Sequence, residues 1–124
     1  MDKSFFGESY YENWRPEREH LAEIEGQVKI GPVPITAGEE ITVCYNGLLA
    51  GSGADQVFLR TGYGLPNDWH KVHDYKMERT SEGWQVNFPV DSGSRLNFCF
   101  KDSANNWDNN NGRNWSYEIH NGNW

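Results

Sequence analysis

The stretch WQVNFPVDSGSRLNFCFK, residues 84–101, contains two runs in which large apolar side chains alternate with other residues. Successive side chains of a β-strand point to opposite faces of the sheet, so each run predicts a strand with one buried face. Residues 91–94, between the runs, have the composition of a turn and predict a hairpin. We expect the two apolar faces to meet in the core; they consist of Trp84, Val86, Phe88 and Val90, and of Leu96, Phe98 and Phe100.

Similar short runs continue through the chain from Gln27 onward, separated by Gly, Asn, Asp, Pro and Ser. This pattern is typical of an antiparallel all-β domain. The predicted strands cover residues 28–30, 40–46, 56–61, 72–79, 84–90, 95–101 and 115–120. Seven short strands predict a two-sheet β-sandwich. A chain of 124 residues supports one core, so residues 27–124 are expected to form a single domain.

The N-terminal residues 1–26 differ from this pattern and are interpreted as an extension. Pro16 suits the first turn of a helix and Gly26 suits its end, so a short helix is predicted over residues 16–25. Before it lies an aromatic cluster that either packs on the domain or binds a protein partner; its members are Phe5, Phe6, Tyr10, Tyr11 and Trp14.

Composition excludes several classes of ligand. Eighteen acidic against 11 basic residues give a formal charge of -7, which repels nucleic acid and anionic membrane surfaces. No apolar run is long enough to span a membrane and the N-terminus lacks a secretory signal, so a soluble cytoplasmic protein is expected. Aromatic residues make up 15% of the chain while all hydrophobic residues reach only 36%, so some rings are expected at the surface.

The cysteines and the oxygen-rich loop give no clear metal or cofactor site. Cys44 and Cys99 lie in separate predicted strands without zinc-type spacing, and we interpret them as buried thiols, with a cross-strand disulfide as the alternative. Residues 102–111 are rich in oxygen ligands for calcium but lack the spacing of an EF-hand. We predict no cofactor and no metal.

Two segments place large rings among turn-forming residues, and both are predicted to be loops. They are residues 62–70, with Tyr63 and Trp69, and residues 105–114, with Trp107. An indole offers a flat apolar plate, and the neighbouring amides and carboxylates offer hydrogen bonds, which together suit the apolar face and hydroxyl edge of a pyranose ring. Covering about 60 Å² of that face contributes about 1.5 kcal/mol, so two plates predict weak binding.

Three motifs carry a resemblance to a known family. They are TAGEEITVCYNG (residues 36–47), VFLRTGYG (residues 57–64) followed by Trp69, and FCFKD (residues 98–102) leading into WDNNNG (residues 107–112). The chain resembles the starch-binding carbohydrate-binding modules of family 25 and the related modules of plant starch synthases. The resemblance implies an immunoglobulin-like sandwich that binds α-1,4-glucan without catalysis, with Trp69 and Trp107 as stacking platforms.

The resemblance leaves the remaining sugar contacts open. The family often has a histidine where this chain reads Arg60-Thr61-Gly62, so Arg60, or His70 or His73 from the loop, is a candidate replacement. Tyr63, Lys101 and Asn110 are further candidate contacts. Strand phase instead assigns Trp84 and Trp115 to the core.

Two other function classes are alternatives to sugar binding. A glycoside hydrolase needs two carboxylates across a cleft, and Asp68, Asp74, Asp102 and Asp108 are available but lie in no catalytic motif. A protein-interaction or structural sandwich would use the same exposed tryptophans in a protein interface. The predicted partner is an α-glucan polysaccharide or a maltooligosaccharide, with starch and glycogen equally compatible.

Overall fold

The structure, a computed structural model, describes residues 21–91 and 95–120. These residues form eleven strands and one short helix. In chain order the elements are β1 (Ala22–Ile24), β2 (Val28–Gly31), β3 (Ile35–Thr36), β4 (Glu40–Tyr45), α1 (Leu48–Gly51), β5 (Val57–Leu65), β6 (Asp68–Lys76), β7 (Glu78–Thr80), β8 (Gly83–Pro89), β9 (Arg95–Asp102), β10 (Trp107–Asp108) and β11 (Trp115–His120).

The strands form two sheets. The first sheet has the order β3-β11-β9-β5-β6, and the short strand β10 also pairs with β9. The second sheet has the order β1-β2-β4-β8-β7. The pairing is antiparallel except between β3 and β11. The predicted all-β class is therefore confirmed, whereas its immunoglobulin-like character stays a prediction.

One hydrophobic core joins the inward faces of the two sheets. Tyr45 of the second sheet stacks on Phe100 of the first, with ring centroids 3.9 Å apart. Tyr75 of β6 stacks in the same way on Phe88 of β8, at 5.0 Å. Trp84 and Trp115 are buried, as strand phase predicted. The alternation of apolar residues thus correctly identified which side chains face inward.

The connection between β8 and β9 is not the hairpin that the sequence predicted. β8 pairs with β4 and β7 in the second sheet, whereas β9 pairs with β5, β10 and β11 in the first. The chain therefore crosses between the sheets after Val90, whose backbone accepts a hydrogen bond from Gly38 N at 2.9 Å. Both strands do present apolar faces to the core, but from opposite layers. Alternation identifies the buried face of a strand, and it does not identify the neighbouring strand.

The predicted N-terminal helix is wrong where the structure describes it. Residues 22–24 form β1, which pairs with β2 through Ala22 opposite Ile30 and Ile24 opposite Val28. Sheet pairing with an existing apolar strand outweighs the weak local helix signals of this segment. The rest of the predicted helix, residues 16–20, and the aromatic cluster of residues 5–14 lie outside the described residues.

The cysteines occupy different sheets. Cys44 lies on β4 and Cys99 on β9, and both are thiols. Burial raises the pKa of the Cys99 thiol to about 11.

No helix within residues 21–91 and 95–120 has the length and apolar character needed to cross a membrane.

Candidate functional site

The candidate site lies on the outward face of the first sheet. Along β5, Val57, Leu59 and Tyr63 point into the core, so the alternate positions point outward. These outward positions are Phe58, Arg60, Gly62 and Gly64. On β9 the residue opposite Arg60 is Cys99, and the residue opposite Phe58 is Lys101. The outward side chains of β5 and β9 are thus the floor of the candidate site.

Trp69 lies on β6, opposite Gly64 of β5, and is not in a loop as the sequence suggested. Its indole packs over Gly62, where a built Cβ would approach Trp69 Cβ to 2.7 Å and Trp69 Cε3 to 2.8 Å. The indole Nε1-H donates to the Pro66 carbonyl at 2.7 Å. Both contacts fix the ring, and the indole remains half-buried against the sheet.

A β-bulge separates Trp69 from the rest of β6. The register shifts between Thr61 and Tyr63 of β5, and Lys71 on the facing strand has a φ of 54°. An extra residue in one strand bends it and re-aims the side chains beside it. The bulge therefore explains how Trp69 and Asp74, five residues apart on β6, both point to the outward face of the sheet.

Trp107 lies on β10, opposite Lys101 of β9, with 43% of its surface exposed. Two cations lie against its ring. Arg60 Cζ is 5.0 Å from the ring centroid and Lys101 Nζ is 5.5 Å from it. Cations near the face of an indole are attracted by its quadrupole. The ring of Trp107 is thus placed over the charged outward side chains of β5 and β9.

Asp74 holds both cations in place. Arg60 Nε and Nη2 donate to the two Asp74 oxygens at 2.7 and 2.8 Å, and Lys101 Nζ is 3.4 Å from Asp74 Oδ2. The bidentate bond from Arg60 lowers the pKa of the Asp74 carboxyl and raises the pKa of the guanidinium. A charged group held in this way is positioned more narrowly than a lone surface arginine.

The strand that carries Trp107 is anchored from the opposite sheet. The Tyr45 hydroxyl donates to Asp108 Oδ2 at 2.6 Å and accepts a hydrogen bond from Leu49 N at 2.9 Å. Burial, and next the bond to Asp108, raise the pKa of Tyr45 far above its usual value, so the phenol stays protonated. Asp108 directly follows Trp107, so this bond fixes the two-residue strand β10.

The two tryptophans flank the same short length of β5. Gly62, beneath Trp69, and Arg60, beside Trp107, are next neighbours on one face of the strand, about 7 Å apart along it. We call this surface the tryptophan face and define it by Trp69, Gly62, Arg60, Asp74, Lys101 and Trp107. It combines two indoles with hydrogen-bonding cations between them.

Two predicted sugar contacts do not lie on the tryptophan face. Tyr63 is 7% exposed in the core, and its hydroxyl accepts a hydrogen bond from Asp91 N. Asn110 is buried with a φ of 59°, and its amide donates to the Asn114 carbonyl at 3.1 Å. Strand phase turns Tyr63 inward, and Asn110 shapes the turn after β10. We therefore leave both out of the site.

The two histidines occupy different positions on β6. His70 is exposed near Gly64. His73 lies opposite Thr61 and is also exposed, with its ring centroid 5.9 Å from that of Tyr75. Of the two, only His70 lies close to Trp69 in the chain and at the same end of the strand.

The carboxylates of the oxygen-rich loop accept hydrogen bonds, mostly from the backbone of the loop itself. Asp102 accepts hydrogen bonds from Ala104 N and Asn106 N, and also from the Asn106 amide. Asp108 accepts from Tyr45 and from Asn110 N. Among the described residues no group of three or more His, Cys, Asp or Glu could hold a metal ion. The composition of this loop is therefore explained by turn formation.

Sequence reasoning missed three contributors to the site. Asp74 was considered only as a candidate acid, because its pairing with Arg60 depends on the register of β5 and β6. Tyr45 acts across the core, which no local motif reveals. Gly62 had a usable signal, since a glycine within a strand often marks a close approach of another group.

Fold and face together describe an all-β domain with two indoles, those of Trp69 and Trp107, on one face of a sheet. Residues 41–98 match the model of the starch/carbohydrate-binding module, family 53. This segment contains Trp69 and ends before Trp107. The match supports the expected starch-binding class, and the specific assignment to family 25 stays a prediction.

The chain is also similar to an alpha-amylase of Clostridium acetobutylicum. The two are 35% identical over 97 residues, which are 77% of this chain and 12% of the amylase. The chain thus corresponds to a small part of that relative. No solved structure matches the chain significantly.

Proposed function

We propose that the protein is a non-catalytic module that binds α-1,4-glucan chains, as found in starch, glycogen and maltooligosaccharides, on the tryptophan face. The observation that supports this most directly is the placement of Trp69 over Gly62 and of Trp107 against Arg60 on one sheet surface. Two apolar plates with donors between them complement a chain of pyranose rings, whose faces are apolar and whose edges carry hydroxyls.

The roles on this face follow from the contacts. Trp69 has its Nε1-H bound to Pro66, so it contributes the face of its ring. Arg60 and Lys101 retain donor hydrogens beyond those used by Asp74 and serve as donors to sugar hydroxyls. Each plate contributes about 1.5 kcal/mol, so we expect dissociation constants from millimolar to about ten micromolar.

The absence of catalysis is part of the proposal. The family that residues 41–98 match is a binding module. Of the four candidate acids, Asp74, Asp102 and Asp108 are engaged by cations or by hydrogen bonds, and Asp68 Oδ2 lies 3.7 Å from His70 Nε2. A reducing-sugar assay on soluble starch should give no product, and steady release of reducing ends would contradict this part of the proposal.

Affinity electrophoresis in gels with and without amylopectin tests the binding. We expect amylopectin to retard the wild type, and Trp69→Ala or Trp107→Ala to lower the affinity about tenfold each, since each removes one plate. The matched control is Val33→Ala, which truncates an exposed side chain just before β3, at the edge of the first sheet opposite β6.

Circular dichroism should show that all three variants are folded. Titration calorimetry with maltooligosaccharides of increasing length would then measure how many glucose units the face engages. Unchanged mobility of the wild type in amylopectin would reject the proposed function, and the exposed tryptophans would then be assigned to a protein interface.

A further inference from the structure

The outward face of β5 carries a glycine, Gly62, directly beneath the Trp69 indole. Gly62 is buried, and its built Cβ would come within 2.7 Å of Trp69 Cβ, 2.8 Å of Cε3 and 3.1 Å of Cδ2. The first two distances are shorter than real Cβ atoms tolerate, and the atoms contacted are at the base of the side chain. Trp69 cannot relieve this clash by swinging only the far end of its ring.

Two further contacts restrict where the indole can go. The Nε1-H bond to the Pro66 carbonyl holds one edge of the ring at 2.7 Å. The bulge at Lys71 sets the direction of the strand on the other side of Trp69. A side chain at residue 62 would therefore have to lift the indole and break the bond to Pro66.

The backbone at Gly62 does not itself require glycine. Its φ lies outside the left-handed region, unlike that of Gly64, which is 111°. A glycine inside a strand has an entropic cost and gives no packing. The reason for glycine at residue 62 is therefore the space above it, which Trp69 fills.

We propose that Gly62 is a positioning residue for ligand binding: its missing side chain lets the Trp69 indole lie low on the sheet, level with the face that Trp107 presents. This inference rests on the proposed function for its consequence in binding, but its structural part concerns Trp69 alone. A bulkier residue at position 62 is expected to tilt the plate and weaken its contact with a chain that also engages Trp107.

A double-mutant cycle between Gly62→Ala and Trp69→Ala tests this inference. Calorimetry with a long maltooligosaccharide should show that Gly62→Ala lowers affinity about as much as Trp69→Ala does. Gly62→Ala should cause no further loss in the Trp69→Ala background. The control is Gly51→Ala on α1, where a built Cβ meets nothing within 4 Å, and its affinity should equal that of the wild type.

Urea unfolding of the same four proteins gives a readout that needs no ligand. Gly62→Ala should lower the free energy of unfolding when Trp69 is present and raise it when Trp69 is alanine, because alanine then occupies the strand without a clash. If the two substitutions are additive in stability, the inference is wrong. The effect of Gly62→Ala on stability could change sign as expected while neither the wild type nor any variant binds glucan. In that case Gly62 positions Trp69, but the proposed function is wrong.

Discussion

Trp69 and Trp107 lie on the same sheet face but are held by different physical means. Trp69 is held by shape, because it fills the space that Gly62 leaves empty on a nine-residue strand. Trp107 is held by charge, because Arg60 and Lys101 lie against its ring from a two-residue strand. Two indoles on one sheet face can therefore differ in what perturbs them.

This difference has consequences for each platform. The contacts of Trp69 are steric and include one neutral hydrogen bond, so pH and salt should hardly affect its position. The positions of the two cations against Trp107 depend on Asp74. The position of β10, which carries Trp107, depends on the hydrogen bond between Tyr45 and Asp108. Trp107 should respond both to charge and to changes in the core.

We expect the largest difference between the responses of Trp107 and Trp69 when the hydroxyl of Tyr45 is removed. Tyr45→Phe keeps the stacking on Phe100 but leaves the Asp108 carboxylate and Leu49 N without the phenol. We expect the free energy of unfolding to fall by about 1–3 kcal/mol, as is usual for a buried group that loses its partner. Urea denaturation monitored by circular dichroism measures this loss.

The same substitution should weaken binding through Trp107 while the environment of Trp69 stays as it was. The control is Tyr75→Phe, because Tyr75 is a half-buried tyrosine stacked on Phe88 with no hydrogen bond from its hydroxyl to the described residues. Equal losses of stability in Tyr45→Phe and Tyr75→Phe would show that the bond to Asp108 does not anchor β10.

A smaller effect is expected from neutralising Asp74. Asp74→Asn removes the charge that holds Arg60 and Lys101, so both side chains should sample positions away from Trp107. We expect affinity for maltooligosaccharides to fall by a few-fold, because exposed ion pairs contribute about 0–1 kcal/mol. Calorimetry on Asp74→Asn, Trp107→Ala and the double variant should show that the two losses are not additive.

The matched control for Asp74 is Glu25→Gln. Glu25 forms an ion pair of the same length with Arg113, 2.7 Å, and this pair lies outside the tryptophan face. Its removal should leave affinity unchanged. If Asp74→Asn weakens binding equally in the wild type and in Trp107→Ala, then the ion pairs do not act through Trp107.

The sequence was sufficient to single out Trp69 and Trp107, whose role as sugar platforms stays a prediction, but it did not reveal what holds them. Trp69 and Trp107 stand out because they occur among turn-forming residues, although Trp69 lies half-buried on β6 and only Trp107 is exposed. Their supports are non-local: Arg60 meets Asp74 14 residues later, and Tyr45 meets Asp108 63 residues later. Only the pairing of strands brings these residues together.

The errors have the same physical origin. Alternation gave the buried faces of residues 84–90 and 95–101 correctly, but it cannot distinguish a hairpin from a crossing between sheets. The glycines and proline of residues 62–66 suggested a loop, whereas β5 and β6 continue almost to the turn. Tyr63 follows the phase of β5 into the core, whereas its place between two glycines had left packing and ligand contact equally open.

Acidification should produce the smallest difference between the responses of Trp107 and Trp69. The bond from Arg60 lowers the pKa of Asp74 below its ordinary value of 3.8. The stabilisation from this carboxylate is therefore complete above 3.8 and is lost as pH falls through the lower pKa of the folded protein. Binding should be nearly constant from pH 7 to about 5 and should weaken below 3.8, while other carboxylates titrate as well. Dissociation constants measured across this range at fixed ionic strength should show a steeper acid limb in the wild type than in Asp74→Asn. Acid limbs of equal steepness would mean that Trp107, like Trp69, is held without help from charge.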